Sequence, residues 1–227
     1  MDGRKITLWI AAVTCLLAAM PAKAGLILLN SGAGLSYSNL ISSGQTGGVG
    51  ASGTTVAITP HPLWQSNNPN GSSAVWISYA NTGYGGSHFQ PFAGSTPVVS
   101  IFETFTNSGP NWLTLDIWSD DSAGVFVDGI QVFAPVTTQG SGGCSGQAIG
   151  CLPNQEGVLS NYLLGSGTHT IRFDLYQTGP GGDASSNPMG LLFTGYDTNA
   201  PEPGAFLLVG AGLLTVGALR RWSRSRP

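Results

Sequence analysis

The sequence is short of charge, and above all of basic residues. Charged residues make up 8% of the 227 residues, and Arg172 is the only Lys or Arg between residues 25 and 200. Nine acids lie in the same span, which leaves it a formal net charge of −8. Proteins bind nucleic acid largely through Lys and Arg side chains that displace counterions from phosphates. A DNA or RNA partner is therefore excluded.

The sequence also lacks helical periodicity of useful length between residues 25 and 198, while glycine is abundant, with 34 residues in the chain. Apolar and polar residues alternate over 112–118 and over 171–176, as in strands with one buried face. Asp128-Gly129 lies between two apolar runs and predicts a hairpin with a type I′ turn. Further strands are predicted over 26–29, 54–58, 74–79, 98–106 and 191–194.

The length allows one domain besides the targeting segments described below. Many short strands joined by turn residues predict an all-β domain over 25–198, an antiparallel β-sandwich of jelly-roll type. Three long loops interrupt it, at 60–73, 81–97 and 134–157. Loops on a rigid sandwich are common sites of recognition.

Enzyme signatures are missing. The sequence has no Gly-x-Ser-x-Gly elbow, no His-Glu-x-x-His and no phosphate-binding glycine loop with lysine. The histidines are isolated, and local hydrogen bonding is expected of all three: His61, His88 and His169. One alternative stays open, because Glu103 with Asp116 or Asp174 would supply the two carboxylates that glycoside hydrolysis needs.

The N-terminus has the three parts of a secretory signal peptide. Arg4 and Lys5 precede an uncharged apolar run over 6–20, and Ala22-Lys23-Ala24 forms a small-x-small cleavage site before Gly25. Residues 1–24 are therefore predicted to be removed on export. The alternative, a first membrane helix, is disfavoured because the apolar run is short for a span.

The C-terminus carries three consecutive signals within residues 199–227. Pro201-Glu202-Pro203 is followed by an uncharged stretch over 204–219 and then by a basic tail that opens with Arg220 and Arg221. The arrangement resembles the PEP-CTERM sorting signal of Gram-negative bacteria. The resemblance implies an exosortase as partner, a single transmembrane helix and an exported domain that is at least transiently anchored in the membrane. The positive-inside rule keeps the arginines cytoplasmic.

Two cysteines remain once the predicted signal peptide, which contains Cys15, has been removed. Cys144 and Cys151 are separated by six residues rich in flexible types, and an oxidising compartment favours a disulfide between them. A metal site is the alternative, but no Cys-x-x-Cys or neighbouring His completes a tetrahedral set.

Residues 118–129 place an adjacent acid pair, Asp120 and Asp121, before the predicted hairpin, and residues 165–173 rise from a glycine turn into an apolar strand. Both segments resemble the protective-antigen-type lectin domain. In lectin members of that family an Asp-Asp pair joined by a cis peptide binds Ca²⁺, which in turn holds sugar hydroxyls. The resemblance therefore implies a Ca²⁺ site at Asp120 and Asp121. We expect both acids in a turn at one edge of the sandwich, outside the core. The alternative is an Asx-turn that caps the strand.

Two further residues are candidates for ligand contact. Trp64 lies in a loop, where an exposed indole would stack on a sugar face and a buried one would plug the loop. Arg172 is expected to pair with Asp174 or with cross-strand Asp116, and contact with an acidic sugar is the other possibility.

The favoured hypothesis is an exported, surface-sorted, non-catalytic β-sandwich that binds glycan or exopolysaccharide matrix. The second is a structural matrix or adhesion protein without a specific small ligand. The third is a glycan-processing enzyme.

Overall fold

The computed structural model describes residues 25–39, 51–90, 96–137, 148–178, 182–183, 187–199 and 212. The predicted signal peptide, the predicted membrane helix apart from Gly212, and Cys144 lie outside this part of the chain. A compact unit covers Leu26–Thr198. The described residues form fourteen strands and one 3₁₀ turn: β1 (Leu26–Asn30), β2 (Ser36–Asn39), β3 (Ser52–Thr54), β4 (Val56–Ala57), the 3₁₀ turn (Pro69–Gly71), β5 (Ile77–Ser78), β6 (Phe89–Gln90), β7 (Val99–Asn107), β8 (Asn111–Asp120), β9 (Ser122–Val127), β10 (Ile130–Phe133), β11 (Gly157–Leu164), β12 (Gly167–Tyr176), β13 (Gly182–Asp183) and β14 (Gly190–Asn199).

The strands of the described residues form two six-stranded sheets and one two-stranded sheet. The first sheet has the order β11-β8-β14-β5-β4, with β1 also paired to β14, and the second has the order β10-β9-β12-β7-β2-β3. The strand β13 pairs with β6 in the small sheet. The registers are antiparallel throughout these pairings. The predicted antiparallel all-β sandwich is confirmed, and its jelly-roll connectivity stays a prediction.

The core lies between the two large sheets and follows the alternation in the sequence. In β8 the inward residues Leu113, Leu115 and Ile117 have no exposed surface, whereas their neighbours Thr114 and Asp116 are half-buried. The strand β12 contributes its own apolar face in the same way. Phe173 of β12 stacks on Phe193 of β14 with ring centroids 4.6 Å apart, and this contact joins the second sheet to the first.

The predicted hairpin is present. Ile130 pairs with Val127 across the turn, and Asp128 and Gly129 have φ angles of 50° and 81°. Positive φ at both central positions is the backbone that a type I′ turn requires, and Asp-Gly adopts it readily.

Several predicted strands differ in extent from the observed ones. The span 54–58 is divided at Thr55, whose hydroxyl donates to the carbonyl of Gly32. In the span 74–79 only Ile77–Ser78 is strand, and the N–H of Trp76 bonds the Asn67 side chain. At Trp76 a side-chain partner thus takes the N–H that a ladder bond would use. At Thr55 the backbone N–H and carbonyl bond Leu35 and Gly34.

Two strands of the large sheets, β2 and β11, have no predicted counterpart. The strand β2 reads Ser-Tyr-Ser-Asn and lacks an apolar face of its own. In β11 the register shifts between Leu159 and Tyr162, where Asn161 has a φ of 53°. A bulge adds a residue to one strand and so interrupts the period of two by which strands are recognised in a sequence.

Replacing Phe173 with Ala should destabilise the domain strongly. The side chain is fully buried and stacked between the sheets, and truncation of a buried Phe costs about 3–5 kcal/mol. Leu163→Ala is the control, because Leu163 is 57% exposed. Chemical denaturation should separate the two variants clearly. Equal midpoints would contradict the importance of this contact.

His169 joins the hairpin to the end of β11. Its Nδ1 lies 2.7 Å from Oδ2 of Asp128 and its Nε2 lies 3.0 Å from the carbonyl oxygen of Gly165. Burial lowers the pKa of His169, but the hydrogen bonds to Asp128 and Gly165 outweigh it, so that the pKa lies above its ordinary value of 6.5. The folded protein therefore binds the proton at His169 more tightly than the unfolded chain does.

The charged form of His169 should stabilise the domain in mild acid. A raised folded-state pKa contributes stability that is fully present below the ordinary pKa and is lost as the pH rises through the folded-state pKa. The free energy of unfolding lost in His169→Gln should therefore be larger at pH 5.5 than at pH 8. The difference should stay below about 1 kcal/mol, because Asp128 is 41% exposed. Asp128→Asn should flatten the same profile, and an unchanged profile in both variants would contradict the assignment.

Candidate functional site

The acid pair lies where the chain crosses from one sheet to the other. Asp120 is the last residue of β8 in the first sheet, and Asp121 leads directly into β9 in the second. The peptide bond between them is cis. Asp120 is 6% exposed and Asp121 is 2% exposed. The expectation that both lie outside the core was wrong, because both side chains are buried and Asp120 is hydrogen-bonded to the buried Trp64.

Asp121 is held by the backbone that follows β12. The N–H of Thr178 donates to Oδ2 of Asp121 at 2.8 Å. Gln177, the residue before it, is fully buried, and neither its amide oxygen nor its amide nitrogen has a hydrogen-bond partner among the described residues. The Oδ1 atom of Asp120 is also buried and has no hydrogen-bond partner among the described residues.

The charge of Asp121 disfavours ionisation of Asp120. Burial raises the pKa of Asp120 well above its ordinary value, and both the charge of Asp121 and a hydrogen bond between the two side chains raise it further. A hydrogen bond with Trp64 acts in the opposite direction. Two desolvated carboxylates in contact ionise together only when a cation compensates them, so the pair takes up either a proton or a cation.

The structure brings Trp64 to this pair, but not as an exposed platform. Trp64 is 5% exposed, and its ring lies 4.3 Å from that of Trp76 between centroids. The buried alternative, the loop plug, is therefore the one observed. No open indole face is available for a sugar, and the hydrogen bond to Asp120 links the plug to the acid pair.

Trp64 belongs to a second apolar cluster beside the main core. Its buried members come from six separate stretches of the chain: Ile58, Trp64, Ala74 with Trp76, Trp118, Cys151 and Leu192. The N–H of Gln65 donates to the carbonyl of Cys151 at 2.7 Å, which ties the Trp64 loop to the cysteine loop. Cys144 lies outside the described residues, so the disulfide between Cys144 and Cys151 stays a prediction.

Arg172 cannot neutralise the acid pair. Its Nε lies 3.2 Å from Oδ1 of Asp174, and its guanidinium carbon lies 4.0 Å above the Phe126 ring. The predicted partner Asp174 is thus correct, and the alternative Asp116 is wrong because it lies in the other sheet. Arg172 is separated from Thr178 by six residues, roughly 20 Å along a strand.

The acids considered for glycoside hydrolysis are not brought together. Asp116 lies in the first sheet, where Oδ2 accepts a hydrogen bond from Asn70, while Glu103 and Asp174 lie in the second. In the pairing of β7 with β12, Asp174 is opposite Ser100, three positions from Glu103. Residues an odd number of positions apart along a strand point to opposite faces of the sheet.

The donor set at the pair favours a hard cation over a transition metal. Over the described ranges, no group of three or more His, Cys, Asp or Glu side chains is placed to hold a metal ion. An ion at Asp120 and Asp121 would therefore draw on amide, carbonyl or water oxygens as well. Ca²⁺ takes six to eight oxygen ligands of these kinds.

Sequence reasoning identified Asp120 and Asp121 but missed Gln177 and Thr178. The only signal was position, since both follow the strand predicted over 171–176 directly. Tyr176 pairs with Ser122 in the observed register, which brings the end of β12 beside the acid pair. That register is not visible in the sequence.

The predicted membrane segment lies outside the described residues apart from Gly212, so it stays a prediction. Among the described residues, no helix has the length and apolarity that a membrane span requires. Residues 199–221 match the PEP-CTERM protein-sorting motif. No curated protein and no solved structure matches the chain. The resemblance to the protective-antigen-type lectin domain therefore stays a hypothesis. The chain carries the PEP-CTERM sorting motif at its C-terminus, which implies an exported, surface-sorted protein that an exosortase recognises.

Proposed function

We propose that this protein is a non-catalytic, surface-sorted β-sandwich that binds glycan and holds Ca²⁺ at Asp120 and Asp121. The observation that carries the proposal is the burial of two adjacent carboxylates, Asp120 and Asp121, where the two sheets meet. A buried carboxylate is normally compensated by a cation, a metal ion or a proton. The only Lys or Arg of the domain is already paired with Asp174.

The residues present fit Ca²⁺. Asp120 and Asp121 supply two hard carboxylates, and Asp120 Oδ1 lacks a partner among the described residues. When bound, the ion would neutralise the pair and offer its remaining coordination positions to water or sugar hydroxyls. Asp121 is already oriented by the backbone N–H of Thr178.

The burial of the pair favours a second candidate as well. With exposures of 6% and 2%, Asp120 and Asp121 present little surface of their own to a sugar. In that case the ion would tie the crossing between the sheets to the end of β12. The protein would then be a calcium-stabilised matrix or adhesion protein without a specific small ligand.

Ca²⁺ should bind the wild-type protein and stabilise it. At a free Ca²⁺ concentration one hundred times Kd, the gain in the free energy of unfolding should be about 2.7 kcal/mol. The variant Asp120→Asn with Asp121→Asn should lose both the calorimetric heat and this gain. In EDTA the variant should be at least as stable as the wild type, because it removes the repulsion between the carboxylates.

Glu103→Gln with Glu156→Gln is the matched control, since it removes two acids of the domain without touching the pair. This control variant should show the same calorimetric heat of Ca²⁺ binding as the wild type. Absence of heat in the wild type would leave the Asx-turn interpretation standing. A glycan array with and without Ca²⁺ separates the two candidates, because Ca²⁺ binding without any glycan signal supports the matrix role.

The sorting motif should direct processing. In envelope material from a strain with a working exosortase, intact mass spectrometry should find a chain that begins at Gly25 and has been cut near Pro201–Pro203. The same strain without exosortase should retain Arg220 and Arg221. A full-length C-terminus in both strains would contradict cleavage.

A further inference from the structure

A groove lies on the outer face of the first sheet, away from the acid pair. Its floor comes from β1, β8 and β14, and its wall from the loop that contains the 3₁₀ turn. It encloses about 510 Å³, which is within the range of roughly 300–1,000 Å³ usual for small-ligand sites. The name sheet groove is used below for the surface lined by Leu28, Asn30, Asn70, Thr114, Asp116 and Tyr196, with Ser72 and Ser73 at the rim.

The sheet groove combines an aromatic and apolar surface with hydroxyl and amide groups. Tyr196 is 43% exposed and Leu28 is 67% exposed. These two residues are register partners in the β1–β14 pair, so their side chains lie side by side on the outer face. A sugar ring presents an apolar C–H face together with equatorial hydroxyls, and an exposed aromatic ring beside polar groups complements both.

The polar groups of the sheet groove are held in place by one another. Asn30 accepts a hydrogen bond from the Thr194 hydroxyl at 2.8 Å and donates to Ser73 at 3.3 Å. Asn70 donates to Asp116 at 2.9 Å, which links the wall to the floor. Bonds between elements distant in the sequence reduce the ordering that a ligand would otherwise impose.

The charge of the sheet groove indicates which class of ligand it would bind. Asp116 is the charged residue of the groove. Burial raises the pKa of Asp116 most, and the nearby charge of Glu156 raises it further. None of the groove residues is basic, and Arg172 lies in the other sheet. An anionic chain would therefore meet a like charge with nothing to offset it.

A folded protein is a poorer match for this surface than a sugar chain. Stable protein interfaces bury about 800 Å² on each partner, whereas the groove is a partly open depression of about 510 Å³ walled by one loop.

We infer that the sheet groove is a second glycan site, independent of Ca²⁺, that binds a segment of uncharged polysaccharide and rejects chains of uronic acids. The inference rests on the proposed function for the class of ligand, but not on the metal. Tyr196 supplies the surface on which a sugar ring stacks. Asp116 accepts hydrogen bonds from sugar hydroxyls, and Asn30 donates to them. The negative charge of Asp116 disfavours acidic sugars.

Isothermal titration of the exported protein in EDTA tests the inference. The probes are cellohexaose and laminarihexaose as neutral chains and hexagalacturonate as the acidic one. The wild type should bind at least one neutral hexasaccharide and should not bind hexagalacturonate detectably. Tyr196→Ala should weaken neutral binding roughly five- to tenfold, as the loss of one stacking partner implies. Tyr84→Ala is the matched control, since Tyr84 is 44% exposed and lies outside the groove.

Asp116→Asn keeps the size of the side chain and an acceptor for Asn70 while it removes the charge. It should permit measurable binding of hexagalacturonate and weaken neutral binding by less than Tyr196→Ala. Thermal unfolding of each variant checks that the fold is retained.

The outcomes separate this inference from the proposed function. Neutral binding in EDTA that Tyr196→Ala leaves unchanged would overturn the groove alone. Binding that needs Ca²⁺ and is lost with Asp120→Asn and Asp121→Asn would also overturn the groove while supporting the calcium site. Wild-type binding of hexagalacturonate would overturn the selectivity, and binding of no probe, with or without Ca²⁺, would overturn the groove and glycan binding together.

Discussion

The face-to-face packing of the two large sheets is the contact on which the rest of this domain depends. Phe173 and Phe193 stack across the interior, and the apolar residues of β8 and β12 fill the space on either side of them. Because strand side chains alternate, this burial determines which residues face outward as well. Asp116 and Tyr196 lie on the outer face for this reason, and the sheet groove is a consequence of the core.

The same packing places the acid pair. A strand that leaves one sheet and enters the other must cross the end of the interior, and here the crossing consists of Asp120 and Asp121. A polar residue at such a crossing is desolvated from both sides. Asp174 is buried to the same degree as Asp120, but it has a guanidinium and the Ser100 hydroxyl beside it. Asp197 is also buried, and it accepts hydrogen bonds from the Asn107 and Asn111 side chains. The acid pair differs from both because two carboxylates are buried side by side, which makes the pair the candidate for a cation.

The scarcity of bases shapes both candidate sites. With Arg172 paired to Asp174, neither the acid pair nor the sheet groove has a Lys or Arg side chain to balance its charge. At the buried pair, where desolvation is severe, a proton or a cation from solution must therefore neutralise the carboxylates. At the open groove water screens Asp116 in part, so its charge acts on ligand selection more than on stability.

The sequence by itself determined the export route, the β class and the hairpin, because each depends on local order along the chain. A basic start with a cleavage site, the Pro-Glu-Pro motif with its basic tail, and Asp128-Gly129 between apolar runs are all contiguous signals. Adjacent acids such as Asp120 and Asp121 are visible in the same way. Only the tertiary structure decided that the pair is buried, that Trp64 plugs the loop beside it and that the N–H of Thr178 donates to Asp121. The strand β11 is also visible only in the tertiary structure, because its bulge interrupts the alternation of apolar and polar residues. The same is true of the sheet groove, since its lining comes from β1, β8, β14 and a distant loop. Burial and register arise from contacts between segments far apart in the chain, and no local pattern records which segments will meet.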